Sequence, residues 1–235
     1  MRNYEIFRER LEEKGLLDLA EKYFYASGKL SVACYKEELE AFHRTDAMAG
    51  YQILDIQDFC GQGTALVGIL DAFMDNKGHM TKEEWHGFCS DAVLLAEFSS
   101  YILKEHAEFE ANVELSYFNQ NRKLKDAEVI LLMTGVTSGE VIAEQSFKVP
   151  DGAYGLVTIG GFNVEIPETK IPEAVMLTLR MVQDGEEITK NSYELWRYPE
   201  NGAVIDKLVS GNVIEANGHK LYITCEKSEA GKLLE

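Results

Sequence analysis

Apolar residues recur near helical spacing through the first quarter of the chain and alternate with polar ones through most of its second half. From Tyr4 to Tyr25, the residues Ile6, Phe7, Leu11, Leu16, Leu19, Tyr23 and Phe24 are separated by acids and bases, which predicts an amphipathic helix. Gly15 is expected to interrupt it and Gly28 to close it, since glycine readily takes the left-handed conformation that ends a helix. Leu30, Cys34, Leu39 and Phe42 repeat the pattern as far as Arg44, with Lys36, Glu37, Glu38 and Glu40 forming the polar side. Tyr51–Phe59 (YQILDIQDF) is short and β-compatible and is expected to be a buried strand. Cys60–Gly63 predicts a turn, Thr64–Phe73 suits either a strand or a helical turn, and Asn76–Gly78 reads as a loop. Thr81 with Glu84 three residues on has the form of a capping box, opening a helix through Phe88. Val93–Leu103 is an apolar stretch that reads as a helix or a loop.

After about residue 107 the period changes to two. The expected strands are Glu108–Phe118, Ala127–Thr134, Val141–Val149, Ala153–Val164, Val175–Val182 and Ser192–Tyr198, separated by clusters of turn residues such as Asp184–Glu187. Short strands at this density, with no helix between them, predict an antiparallel sandwich. Beyond it, Lys220–Cys225 reads as a strand. Ser228–Leu234 reads as the start of a helix that a longer polypeptide would continue. The fold class is therefore α+β, divided into a helical part over 1–104, a sandwich over 105–200 and a further segment over 201–235.

Charge narrows the range of partners. Acids outnumber bases 40 to 23, for a net charge of −17, which repels both a phosphate backbone and an anionic membrane surface. Nucleic acid and membrane are excluded as partners on this ground, whereas an uncharged ligand is indifferent to it. The opening MRNYEIFRERLEEKG lacks the apolar core of a signal peptide, so the chain carries no readable address. Cys34, Cys60, Cys89 and Cys225 lie far apart with no CxxC pair, which argues against a metal site and for buried free thiols.

Familiar catalytic signatures are absent. The run Cys60–Gly68 (CGQGTALVG) has Gly61 and Gly63, but Leu66 takes the place of the third glycine of a dinucleotide fingerprint, and no GK[ST] follows. No register of the acids between Asp71 and His86 fits a calcium loop, because Asn76 or Met80 falls where glycine is required. The histidines never pair at i, i+4, and no GxSxG elbow exists. No catalytic residue, cofactor or metal is assigned. The polar members of Tyr51–Phe59 stand out, because a polar group in an apolar strand needs a partner. Alternation sets Asp55 and Gln57 on one face and Gln52 and Asp58 on the other. Asp55, Gln57 and Asp58 are the candidate binding residues, and hydrogen bonding to neighbouring loops is the competing role.

The stretch Tyr35–Gly78 (YKEELEAFHRTDAMAGYQILDIQDFCGQGTALVGILDAFMDNKG) resembles the end of the catalytic barrel in a branch of glycoside hydrolase family 2. The alternating region, closing on Leu195–Pro199 (LWRYP), is similar to the immunoglobulin-like domain that follows such barrels. The resemblance implies a partial (β/α)-barrel remnant ahead of an immunoglobulin-like antiparallel β-sandwich, with Tyr51–Phe59 as the last barrel strand. Enzymes of that family are retaining glycosidases that use two glutamates. Both belong upstream of the helix that Tyr35 enters, and Glu37, Glu38 and Glu40 match neither. Where relatives end the strand with W-D-x-x-D, this chain has Leu54, Asp55 and Asp58, so the acids match and the tryptophan does not. The implied role is a non-catalytic carboxy-terminal portion of a β-glycosidase, and the alternative is a stand-alone carbohydrate-binding or interaction module. The implied partners are the parent's carbohydrate substrate, the rest of the parent polypeptide and a second copy of the chain. For the parent, a secreted or periplasmic location is compatible with the resemblance.

Overall fold

The computed structural model describes residues 2–62, 66–169, 172–199, 214–216 and 219–221. Helix α1 spans Arg2–Glu13, a 3-10 turn covers Leu17–Leu19, and α2 runs over Ala20–His43. Gly15 ends α1 as expected: at φ +65° it takes the left-handed conformation, and the Leu16 N–H reaches back to the Leu11 carbonyl at 2.8 Å. Gly28 does not close a helix. It sits inside the 24 residues of α2, where a Cβ would overlap the His79 ring. Glycine is needed there for close packing rather than for a turn.

The segment 51–59 is not a strand. It runs extended but unpaired apart from a parallel bridge between Gln57 and Leu70, and Leu54 is 78% exposed. The described part of Thr64–Phe73 is irregular too, touching regular pairing only at Leu70. The capping box forms as read. The Glu84 N–H donates to the Thr81 hydroxyl at 3.1 Å, the Thr81 N–H donates to the Glu84 carboxylate at 2.6 Å, and α3 follows over Lys82–Phe88.

The rest is a β-sandwich. Strands β1 (Ala92–Phe98), β3 (Glu108–Tyr117) and β6 (Gly155–Glu165) make one sheet in the order β1-β3-β6. Strands β2 (Ile102–Lys104), β4 (Glu128–Gly135), β5 (Val141–Lys148), β7 (Glu173–Gln183) and β8 (Glu186–Tyr198) make the other, in the order β2-β8-β7-β4-β5. All pairings in the two sheets are antiparallel except β2 with β8, where Ile102 lies beside Trp196 in a parallel register. The expected helix or loop over Val93–Leu103 is instead β1 and β2, so two strands of the sandwich lie before residue 105.

Alternation builds the core. Val129, Leu131 and Met133 of β4 lie beside Met181, Leu179, Leu177 and Val175 of the neighbouring β7 and share one core with Val113 and Leu115 of β3 in the other sheet, and all of these are fully buried. Asp184 and Gly185, both at positive φ, turn β7 into β8 as a two-residue hairpin between the paired Gln183 and Glu186. In the tail, β9 (Ile214–Ala216) pairs antiparallel with β10 (His219–Leu221). The strand read over Lys220–Cys225 is covered only at Lys220 and Leu221, and the helix expected at Ser228–Leu234 lies outside the described residues. Cys34 and Cys60 are exposed free thiols and Cys89 is half-buried, which corrects the expectation of buried thiols; Cys225 lies outside the described residues. Among the described residues no helix is long and apolar enough to cross a membrane.

Candidate functional site

The three residues singled out in the sequence do not converge. Asp55 has φ +59° and Gln57 points to solvent, so both lie at the surface. Asp58 is buried, and its Oδ1 accepts from the Lys77 ammonium at 2.7 Å and from the Gly68 N–H at 3.0 Å. Its backbone N–H donates to the Leu70 carbonyl at 3.0 Å, which clasps the segment carrying Gln57 and Asp58 onto the one carrying Gly68 to Leu70. A Cβ on Gly68 would overlap the backbone of Gln57, so only glycine admits this approach. The charge in the run is thus compensated by Lys77, nineteen residues further on, a partner that alternation does not reveal. A trench of about 440 Å3 runs between α2 and residues 51–54, lined by Tyr35, Glu38, Leu39 and Ile53 among others, and none of the three candidates lines it. Asp55 is close enough to help raise the Tyr35 phenol, whose burial is the larger cause.

A second polar centre, missed in the sequence, joins the helices to the sandwich. Glu40 is fully buried on α2. Its carboxylate accepts from the ammonium of Lys36, from Arg44 Nη2 at 3.1 Å, from Asn191 Nδ2 at 2.8 Å and from the Tyr193 hydroxyl at 2.9 Å. Helical spacing stacks Lys36, Glu40 and Arg44 on one face, since each pair is four residues apart. The sandwich replies from β1 and β8. Arg44 donates to the Ala96 carbonyl at 3.1 Å, Asn191 donates to the Leu94 carbonyl at 2.7 Å, and the Ala96 N–H donates to the Tyr193 hydroxyl at 2.9 Å. Lys36 also lies 3.8 Å from the Tyr193 ring centroid. Burial pushes the Lys36 amine down against the pull of Glu40, and burial with Glu40 pushes the Tyr193 phenol well up, so it stays protonated. The Glu40 carboxylate is fully engaged by its four donors, and only Arg44 Nε among the buried atoms of this centre lacks a partner, so the centre holds the two halves together and offers no free acid or base. The readable signal was the Lys36–Glu40–Arg44 spacing.

Two carboxylates do meet elsewhere. Glu173 and Glu140 (the latter at 2.8 Å) both accept from Arg197 Nη2 at one end of the sandwich. Burial would raise the Glu173 carboxyl, but hydrogen bonds from Arg197 and Ser138 outweigh it and hold it below its usual value. A glycosidase acid needs the opposite shift. This pair is an ion-pair clamp around a buried guanidinium. Among the described residues no cluster of three or more His, Cys, Asp or Glu is placed to hold a metal ion.

The profile of a domain of unknown function (DUF8488) matches residues 107–199. No curated protein matches the chain. Its structural neighbours include portions of glycoside hydrolases and small β-modules, all at low identity. A β-glucuronidase from Parabacteroides merdae is 11% identical with a TM-score of 0.33, over 46% of this chain and 14% of that one. A glycosyl hydrolase family 2 member from Bacteroides cellulosilyticus is 12% identical with a TM-score of 0.33, over 43% of this chain and 13% of that one. A cohesin module from a Clostridium perfringens family 33 glycoside hydrolase is 14% identical with a TM-score of 0.32, over 46% of this chain and 98% of that module. The chain therefore spans about a seventh of the length of the two enzymes.

Proposed function

We propose that this chain is the non-catalytic carboxy-terminal portion of a family 2-like β-glycosidase. Its helices and the 51–80 segment complete the enzyme's barrel, and an immunoglobulin-like sandwich braces it. The observation that carries this reading is the contrast between the two halves. The sandwich buries its apolar side chains in one continuous core, whereas among the described residues the helical half has a cluster of four buried ones, Leu39, Ile69, Met80 and Phe88. It leaves Leu30, Leu54, Phe59 and Phe73 between 56% and 85% exposed. Apolar surface on this scale calls for a covering partner. The resemblance of Tyr35–Gly78 to the end of a glycosidase barrel names that partner as the rest of the barrel. On this reading Asp55 and Gln57, open to solvent, border the parent's sugar site, while Asp58 shapes the loop that carries them.

The test begins with the coding sequence upstream of Met1, which should encode barrel strands bearing two glutamates. Co-expressed with that barrel, the chain should form a one-to-one complex that hydrolyses aryl β-glycosides, and neither part should do so alone. Turnover by the isolated chain that a single glutamate substitution abolishes would overturn the reading. So would an upstream sequence with no barrel.

A further inference from the structure

The end of α2, the 45–51 loop and one end of the sandwich enclose an open-sided cavity of about 340 Å3. Four aromatic rings from three separate stretches line it. Phe42 and Tyr51 stack at 5.8 Å with 23° between planes, and Phe118 meets Tyr154 edge-on at 5.5 Å and 74°. All four are at least 36% exposed, and Tyr154 reaches 55%. The same cavity is lined by the polar residues His43, Thr45, Asp46 and Gln120. His43 is fixed, with Nδ1 at 2.9 Å from the Ser116 hydroxyl and Nε2 at 3.4 Å from the Tyr51 hydroxyl. Burial pushes its imidazole down, against a smaller opposing pull from Glu40, so it is neutral at pH 7.

We propose that this cleft binds a neutral sugar. Small-ligand sites are concave, apolar-walled and orientated by a few polar groups, with volumes of roughly 300–1,000 Å3. The electron-rich face of an aromatic ring attracts weakly positive hydrogens. A pyranose presents a face of C–H groups to such a ring and hydroxyls around its rim. The stacked Phe42–Tyr51 pair offers a flat wall for that face, and Asp46, Gln120 and Thr45 are hydroxyl partners. No lysine or arginine lines the cleft, and a net charge of −17 disfavours an anionic occupant. The site lies apart from Asp55, Gln57 and Asp58, and it does not depend on the chain belonging to a glycosidase.

The experiment is a nuclear magnetic resonance titration of the whole chain with glucose, galactose, mannose, xylose, lactose and cellobiose, with choline as a cationic competitor for an aromatic site. At least one sugar should give saturable shifts confined to residues 42–51, 118–120 and 154–156. Tyr154→Ala and Phe118→Ala, both surface substitutions, should each weaken it by about tenfold or more. Trp196→Ala, on an exposed aromatic outside the cleft, should leave the affinity unchanged. The proposal is overturned if no sugar saturates, if choline binds in their place, or if Trp196→Ala rather than Tyr154→Ala removes the response. Binding is read without turnover, so its failure is distinguishable from failure of the glycosidase reading.

Discussion

At the scale of single residues, Glu40 and Asp58 show how differently two buried carboxylates can be read from sequence. Burial of Asp58 in an apolar run signalled that it needed a partner, although Lys77 was too far along the chain to be named. Glu40 gave no such signal, because it stands among Glu37 and Glu38 on what reads as a solvated helix face. Only the fold brings Asn191 and Tyr193 onto it. Glu40→Gln leaves Lys36 and Arg44 facing each other without a counter-charge, and should cost about 3–5 kcal/mol of unfolding free energy in a denaturant titration. Tyr193→Phe removes the hydroxyl that donates to Glu40 and accepts from Asn191 and the Ala96 N–H, but it strands no charge, and should cost less, about 1–3 kcal/mol. Asp58→Asn should likewise act mainly on stability, by stripping Lys77 of its counter-charge. Glu173 sets a pH dependence. Its folded carboxyl titrates below the usual 4.5. Its contribution is therefore complete above pH 4.5 and is lost as the pH falls through the lower, folded value. Melting curves between about pH 3 and 6 should show this slope, and Glu173→Gln should flatten it.

At the scale of elements, strands β3, β4, β7 and the second half of β8 were legible because alternate residues are buried and the rest are not, and a period of two is what that produces. Strand β1 was not, because Val93, Leu94 and Leu95 are all fully buried. A run covered on both sides has no alternation to read. Helix α2 continues through Gly28 where the pattern alone implies an end, since a glycine that ends a helix and a glycine that admits a neighbouring ring look the same in sequence. Gly28→Ala should therefore destabilise the chain, and His79→Ala in the same molecule should restore part of the loss by vacating the space. The role of β1 gives a sharper test. A fragment of residues 105–199 lacks an edge of the three-stranded sheet and should fail to melt cooperatively by circular dichroism, whereas one starting at about residue 90 should succeed.

At the scale of the whole molecule, the parallel contact between β2 and β8 bears on how the sandwich carries load. In a longer polypeptide, tension enters ahead of β1 and leaves after β8. Two parallel strands pulled from their opposite ends slide along each other, so all of their cross-links must yield together. Antiparallel neighbours pulled from the same end peel apart one bond at a time. Ile102–Lys104 against Trp196–Tyr198 is arranged in the first way. The joint is thus a clasp within one sheet, set in shear against any pull that reaches β2 from its amino-terminal side while β8 is drawn from its carboxy-terminal end.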